Sequence, residues 1–159
     1  MVDCARIPFN GVRLVVKTSK PFDAVCAAIE SALGRIDVAA LSQSSTRDQI
    51  MSAANAGVGS SGFAIFQLIE HGRLLAALGL GTAKARLYVI GNALVAAEMT
   101  KVDLLAGLHA PLRLMVYEAG GETLLTYVQP SSVLTAAGIA DTARKLDQGL
   151  AHLTNVAGS

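Results

Sequence analysis

The segment PLRLMVYEAGGETLLTYV, Pro111 to Val128, decides how the rest of the chain is read. A run rich in large apolar and aromatic residues stands on each side of Ala119-Gly-Gly121, from Pro111 to Glu118 and from Glu122 to Val128. Two such runs joined by a glycine pair predict a β-hairpin, because glycine enters the left-handed conformation of a tight turn at little cost. Side chains alternate along a strand, so Leu112, Leu114 and Val116 share one face, and Arg113, Met115 and Tyr117 the other.

Three more strands are expected upstream. Val12–Lys17 alternates and is β-branched, Gly62–His71 is apolar until Glu70-His71, and Ala85–Ile90 ends at Gly91-Asn92. Between the first two, Phe22, Val25, Cys26, Ile29 and Leu33 recur at helical spacing, with Ser19 as the expected N-cap and Gly34 as the stop. Thr46-x-x-Gln49 has the form of a capping box and opens a short helix to Ala56. Gly72–Leu78 and Ala93–Val102 read as short helical connections. Ile139, Ala143, Leu146, Leu150 and Leu153 mark an amphipathic closing helix. The order is strand, helix, four strands, helix. A sheet must bury one face and two amphipathic helices can cover it, so the expected fold is a two-layer α+β sandwich, β-α-β4-α, with a mostly antiparallel sheet in a single domain over residues 1–159.

Composition narrows the function classes. Of the 159 residues, 52% are hydrophobic and 16% charged, which favours a self-associating surface or a ligand pocket. Thirteen basic against twelve acidic residues leave +1, so no net field attracts nucleic acid or membrane. The run Gln49–Ile69 is long enough to span a bilayer, but Asn55, Gly57, Gly59 and Gln67 break it into helix, loop and strand. The start, MVDCARIPFNG, has no apolar core of a signal peptide. Cys4 and Cys26 form no disulfide framework; Cys26 falls on the apolar helix stripe, and a reducing, cytoplasmic setting is expected. His71, His109 and His152 lie far apart, with no paired-cysteine spacing, so no metal is expected. The glycine loops at 57–62 and 79–84 lack phosphate-loop spacing, and no cofactor is expected.

Several local motifs resemble the domain-of-unknown-function 302 family. They are Val15-Val-Lys-Thr-Ser19, Gly62-Phe63 opening a strand that ends at His71, Leu87-Tyr-Val-Ile-Gly-Asn92, Ala110-Pro-Leu112 before Val116-Tyr-Glu118, and Thr126-Tyr-Val-Gln-Pro130. The resemblance runs from about residue 11 to residue 155. It implies a fold similar to the TATA-box-binding-protein-like arrangement and no particular activity. His71 and Asn92 match the family pattern directly. Glu70 stands where the pattern has Asp, and Ala93 where it has Pro. A segment at about 36–60 is additional; so long a connection is usually functional or mobile.

Strand alternation points to a site. If Leu87 and Val89 face the core, then Arg86 and Tyr88 join Arg13, Arg113, Met115 and Tyr117 on an open face rich in arginine and aromatic residues. Gln67 is ill suited to a core, so residues 63, 65, 67, 69 and 71 are placed on that face, with Glu70 opposite unless a bulge re-aims it. The leading expectation is a small-molecule pocket there, under a lid formed by 36–60. Gln67, Arg86, Tyr88, Asn92, Arg113 and Tyr117 would bind an anionic or aromatic ligand. His71, Glu70 and Glu98 would be the candidates for proton transfer in an isomerase, cyclase or hydrolase type of reaction. The residues do not decide between binding and catalysis. The plainer readings are that His71 caps a loop, Asn92 makes a turn and Glu98 sits on a solvated helix face. The competing function is a homodimer burying the open face, with nucleic-acid binding a weaker third.

Overall fold

The computed structural model describes residues 4–159; of the N-terminal stretch read above, Met1, Val2 and Asp3 lie outside them. Strand β1 (Arg13–Thr18) leads to helix α1 (Phe22–Ala32), a two-residue strand β2 (Gly34–Arg35), and helices α2 (Val38–Gln43) and α3 (Arg47–Ala56). Then come β3 (Ala64–Ile69), α4 (His71–Ala77), β4 (Ala85–Gly91), α5 (Ala93–Val102) and a 3₁₀ turn at Leu104–Leu108. The hairpin β5 (Leu112–Ala119) and β6 (Glu122–Val128) is followed by α6 (Pro130–Val133) and the long α7 (Ala140–Gly158). The sheet order is β1-β6-β5-β4-β3-β2, antiparallel throughout except for β2 beside β3. The α+β architecture is as expected, with six strands where the sequence predicts five.

The hairpin forms because Gly120 and Gly121 both take positive φ, 62° and 80°, as a two-residue turn requires. Helices α1 and α7 pack together on one side of the sheet. From α1, Phe22, Val25, Cys26 and Ile29 are buried; from α7, Ala143, Leu146, Leu150 and Leu153. They meet Tyr88, Ile90, Leu114, Val116, Leu125 and Tyr127 of the central strands. Burying each large apolar side chain contributes roughly 1.5–3 kcal/mol, which outweighs the weak intrinsic helix preference of α1.

Three local expectations need correction. Ser19 does not cap α1: Pro21 occupies the N-cap position, and its carbonyl accepts from the Val25 amide. Gly34 is no helix stop either; it lies in β2, where its amide donates to Phe63 O at 3.0 Å. A Cβ there would stand 2.0 Å from Gly57 O, so glycine is set by close backbone approach rather than by backbone conformation. Finally, 36–60 is not placed as a lid on the open face. The chain around β2 extends the sheet edge through Ile36 N donating to Ile65 O, and α3 packs against α2 and α5. The capping box at Thr46 and Gln49 forms as predicted.

Candidate functional site

A β-bulge decides which residues share a face. Ile65 pairs with Ile90, whereas Gln67 pairs with Val89, leaving Phe66 as the extra residue. Phe63 and Ile65 therefore enter the core, while Gln67 and Ile69 face away from the helices. The uniform open face expected for 63 to 71 is corrected accordingly. On β4 the expected parity is reversed. Tyr88 and Ile90 are wholly buried under the helices, and Leu87 and Val89 occupy the open side. Arg113 and Tyr117 do lie on the open face, as expected.

Arg86 and Tyr88 instead join a polar cluster beneath α1. Arg86 Nη1 donates to Glu30 Oε1 at 2.8 Å, and Tyr88 Oη donates to the same oxygen at 2.9 Å. Glu70 Oε1 lies 2.6 Å from Arg86 Nε but off the axis of its N–H, so this buried donor has an ionic neighbour without an aligned hydrogen bond. The guanidinium also stands over the Phe22 ring at 5.8 Å. Arg86 retains 22% side-chain exposure, Glu30 29% and Glu70 33%, so the cluster opens at its rim. Burial alone would lower the Arg86 pKa, but hydrogen bonding to Tyr88 and neighbouring negative groups raise it overall. Burial, with the hydrogen-bond contact to Cys26, pushes the Tyr88 phenol well above its ordinary 10.0. Burial likewise raises the Cys26 thiol above 9.0, although the Tyr88 contact partly opposes this.

Glu30 is the member that sequence reading missed. It lies four residues after Cys26, itself four after Phe22, so one side of the α1 stripe ends in a carboxylate. A carboxylate continuing an apolar stripe signals a cation waiting across the core. His71 is half-buried at the first position of α4, where Glu70 holds the N-cap position without a side-chain cap bond. Glu98 does not point inward toward the sheet. Its side chain is 73% exposed and pairs with Lys101. Asn92 is more than a turn: its Oδ1 accepts from the amides of Leu94 and Val95, capping α5.

The cluster has a direct consequence for pH. The folded chain holds the Tyr88 proton more tightly than the unfolded chain, so the stability this provides is complete below about pH 10 and lost as pH rises above it. By pH 11 the loss from this one group is about 1.4 kcal/mol. Urea unfolding at pH 8 and pH 11 should show a smaller difference for Tyr88→Phe than for the wild type. An equal difference in both would place the alkaline sensitivity elsewhere.

A second feature is an apolar cavity of about 210 Å³ where β3, β4 and β5 meet α5 and α7. Phe66, Val95, Met99, Pro111, Leu112 and Leu146 line it, together with Gly91, Asn92 and the small residues Ala93, Ala96 and Ala110. The small residues leave the space that the bulged Phe66 borders but does not fill. Among the described residues, Asn92 supplies the only polar side chain in the lining. Its Oδ1 is committed to the cap, and its Nδ2 makes only a long 3.4 Å contact with Gly62 O.

Among the described residues, no helix is long and apolar enough to cross a membrane, and no group of three or more His, Cys, Asp or Glu side chains could hold a metal ion. The fold and these features define a two-layer α+β protein with helices on one side of a mostly antiparallel sheet, an apolar cavity under α5 and an ion-paired cluster under α1. Residues 39–157 match the family described as Domain of unknown function DUF302, and the chain belongs to that family. The crystal structure of an uncharacterized conserved DUF302 protein from Bacillus stearothermophilus is similar, with a TM-score of 0.66 and 17% identity, over 91% of this chain and 97% of that one. At that identity the likeness speaks for the fold alone. No curated protein matches the chain.

Proposed function

We propose that the protein binds a compact apolar small molecule in the cavity beneath α5. The observation that carries this reading is an apolar space of about 210 Å³ bordered by one adaptable amide donor. Engineered cavities of about 150 Å³ already take up a benzene-sized guest, so this one has room for a single ring or a short branched chain. Aliphatic, aromatic and thioether walls exclude a charged ligand, whose desolvation nothing there would offset. An anionic ligand, as expected over the open face, does not suit this cavity. Among the described residues, none that lines the cavity has an ionisable side chain, which favours binding over proton transfer. Of the proton-transfer candidates, Glu70 stands in the ion-paired cluster under α1, and neither His71 nor Glu98 lines the cavity.

Ala96→Leu should fill the cavity while leaving the fold intact. A ligand-observed NMR screen of single-ring aromatics and short branched alcohols should yield saturable binders in the wild type and none in the variant. Binders that bind the filled variant equally well would overturn the proposal.

A homodimer through the open sheet face has the exposure of Val15 (47%) and Val128 (48%) in its favour and the like charge of Arg13, Arg113 and Lys17 against it. Sedimentation equilibrium tests it directly.

A further inference from the structure

The register of the open face gives three rows of side chains. The central row crosses five strands: Val15 opposite Thr126, Thr126 opposite Met115, Met115 opposite Leu87, and Leu87 opposite Ile69. Apart from one threonine it is apolar. One flank carries Gln67, Val89 and Arg113 on β3 to β5, with Val128 and Arg13 beside them on β6 and β1. The other carries Lys17, Leu124, Tyr117 and Ala85. Among the described residues, three cations thus border the apolar row, against one carboxylate on the same face, Glu122, which stands 3.6 Å from Lys17 in an exposed pair. Such pairs are weak in water. Among the described residues, neither Arg13 nor Arg113 has a carboxylate within ion-pair distance.

We infer that this face docks an acidic amphipathic helix of a partner protein. Charge decides among the occupants. Two copies stacked face to face would set three cations over three cations, and like charges across an interface are disfavoured. Single-stranded nucleic acid stacks its bases on aromatic side chains, which this row lacks, and a duplex is held by more phosphate-contacting cations than the three here. An extended peptide laid on the face would leave its backbone groups unpaired against apolar side chains; a helix satisfies its own. The dimensions match. Five strands about 4.8 Å apart make the row roughly 19 Å long, the length of about 13 helical residues. The flanking rows lie roughly 7 Å to either side, so an apolar stripe on the helix seats on the central row. Glutamates beside that stripe then meet Arg13 and Arg113 on one side and Lys17 on the other.

The test uses a fluorescent helical peptide of about fifteen residues, with leucines at i, i+3, i+4 and i+7 and glutamates flanking them. A second peptide has lysine for every glutamate. At low salt the acidic peptide should bind at least ~10-fold more tightly than the basic one, and more weakly as salt rises. The double variant Arg13→Glu/Arg113→Glu, altered only at exposed positions, should reverse that preference. Met115→Glu should abolish binding of the acidic peptide while leaving the thermal unfolding transition cooperative. Four results would overturn the inference: no saturable binding of the acidic peptide; binding unchanged by the charge reversal; self-association that Met115→Glu removes; or duplex binding that the charge reversal removes.

Discussion

Replacing Gly59 by alanine is expected to cost about 3–5 kcal/mol of folding stability, a large share of what a domain this size has. Its added Cβ would stand 2.3 Å from Gly34 N, 2.5 Å from Ala32 O and 2.5 Å from Leu33 C, all backbone atoms that no rotamer change can move. The crossing between β2 and the loop before β3 would have to open by about 1 Å, and close-packed interiors yield little. Opening it strains the hydrogen bonds from Gly34 N and Gly59 N to Phe63 O, each 3.0 Å, and from Ser61 N to Ala32 O, also 3.0 Å. Gly34→Ala should behave alike, because its Cβ would meet Gly57 O. Gly107→Ala is the control: there the nearest neighbour is Thr100 Cγ2 at 3.6 Å, an ordinary contact. Urea denaturation separates the three. A Gly59→Ala protein within 0.5 kcal/mol of wild type would show that the crossing is loose, and that 36–60 is held by its helices instead. Hydrogen exchange adds the location: Ile36 and Ser61 amides should lose protection before those of β5 and β6.

Arg86→Ala is the second large effect, at about 2–4 kcal/mol. Breaking a buried ion pair costs about 3–5 kcal/mol, reduced here because the rim of the cluster is wet. Removing the guanidinium leaves Glu30 and Glu70 facing one site without their shared cation; Glu30 then keeps only Tyr88 and the exposed Arg35, whose Nη2 lies 3.9 Å from Glu30 Oε2. The stacking of Arg86 over Phe22 is lost as well. Most of this cost comes from stranded charge rather than from the attraction itself. The triple variant Arg86→Met/Glu30→Gln/Glu70→Gln should therefore recover more than half of the loss. If it is no more stable than Arg86→Ala, the cluster contributes through packing, and its ionic reading fails.

The alternation of Val12–Lys17, the glycine pair at 120–121 and the helical stripes of α1 and α7 were all legible in the sequence. Each is a local pattern imposed by backbone geometry: period two in a strand, 3.6 in a helix, positive φ in a tight turn. Those patterns, with the need to cover one sheet face, already determined a two-layer α+β domain. Site placement was less legible. Alternation shows that Arg86 and Tyr88 share a side but not which side, and β4 is apolar on both. Its neighbours chose: burying Tyr88 was possible because Glu30 of α1 and Arg86 satisfy its hydroxyl. The extra residue at Phe66 could not be read from the β3 run, since a bulge depends on pairing with β4. The cavity follows from the packing of α5 and α7 on three strand ends, and the two-residue β2 from glycines that let distant backbone segments touch. Local order is written in neighbours along the chain. Which face a polar residue takes, and where space is left, is set by contacts between segments up to sixty residues or more apart, and only the folded chain brings those together.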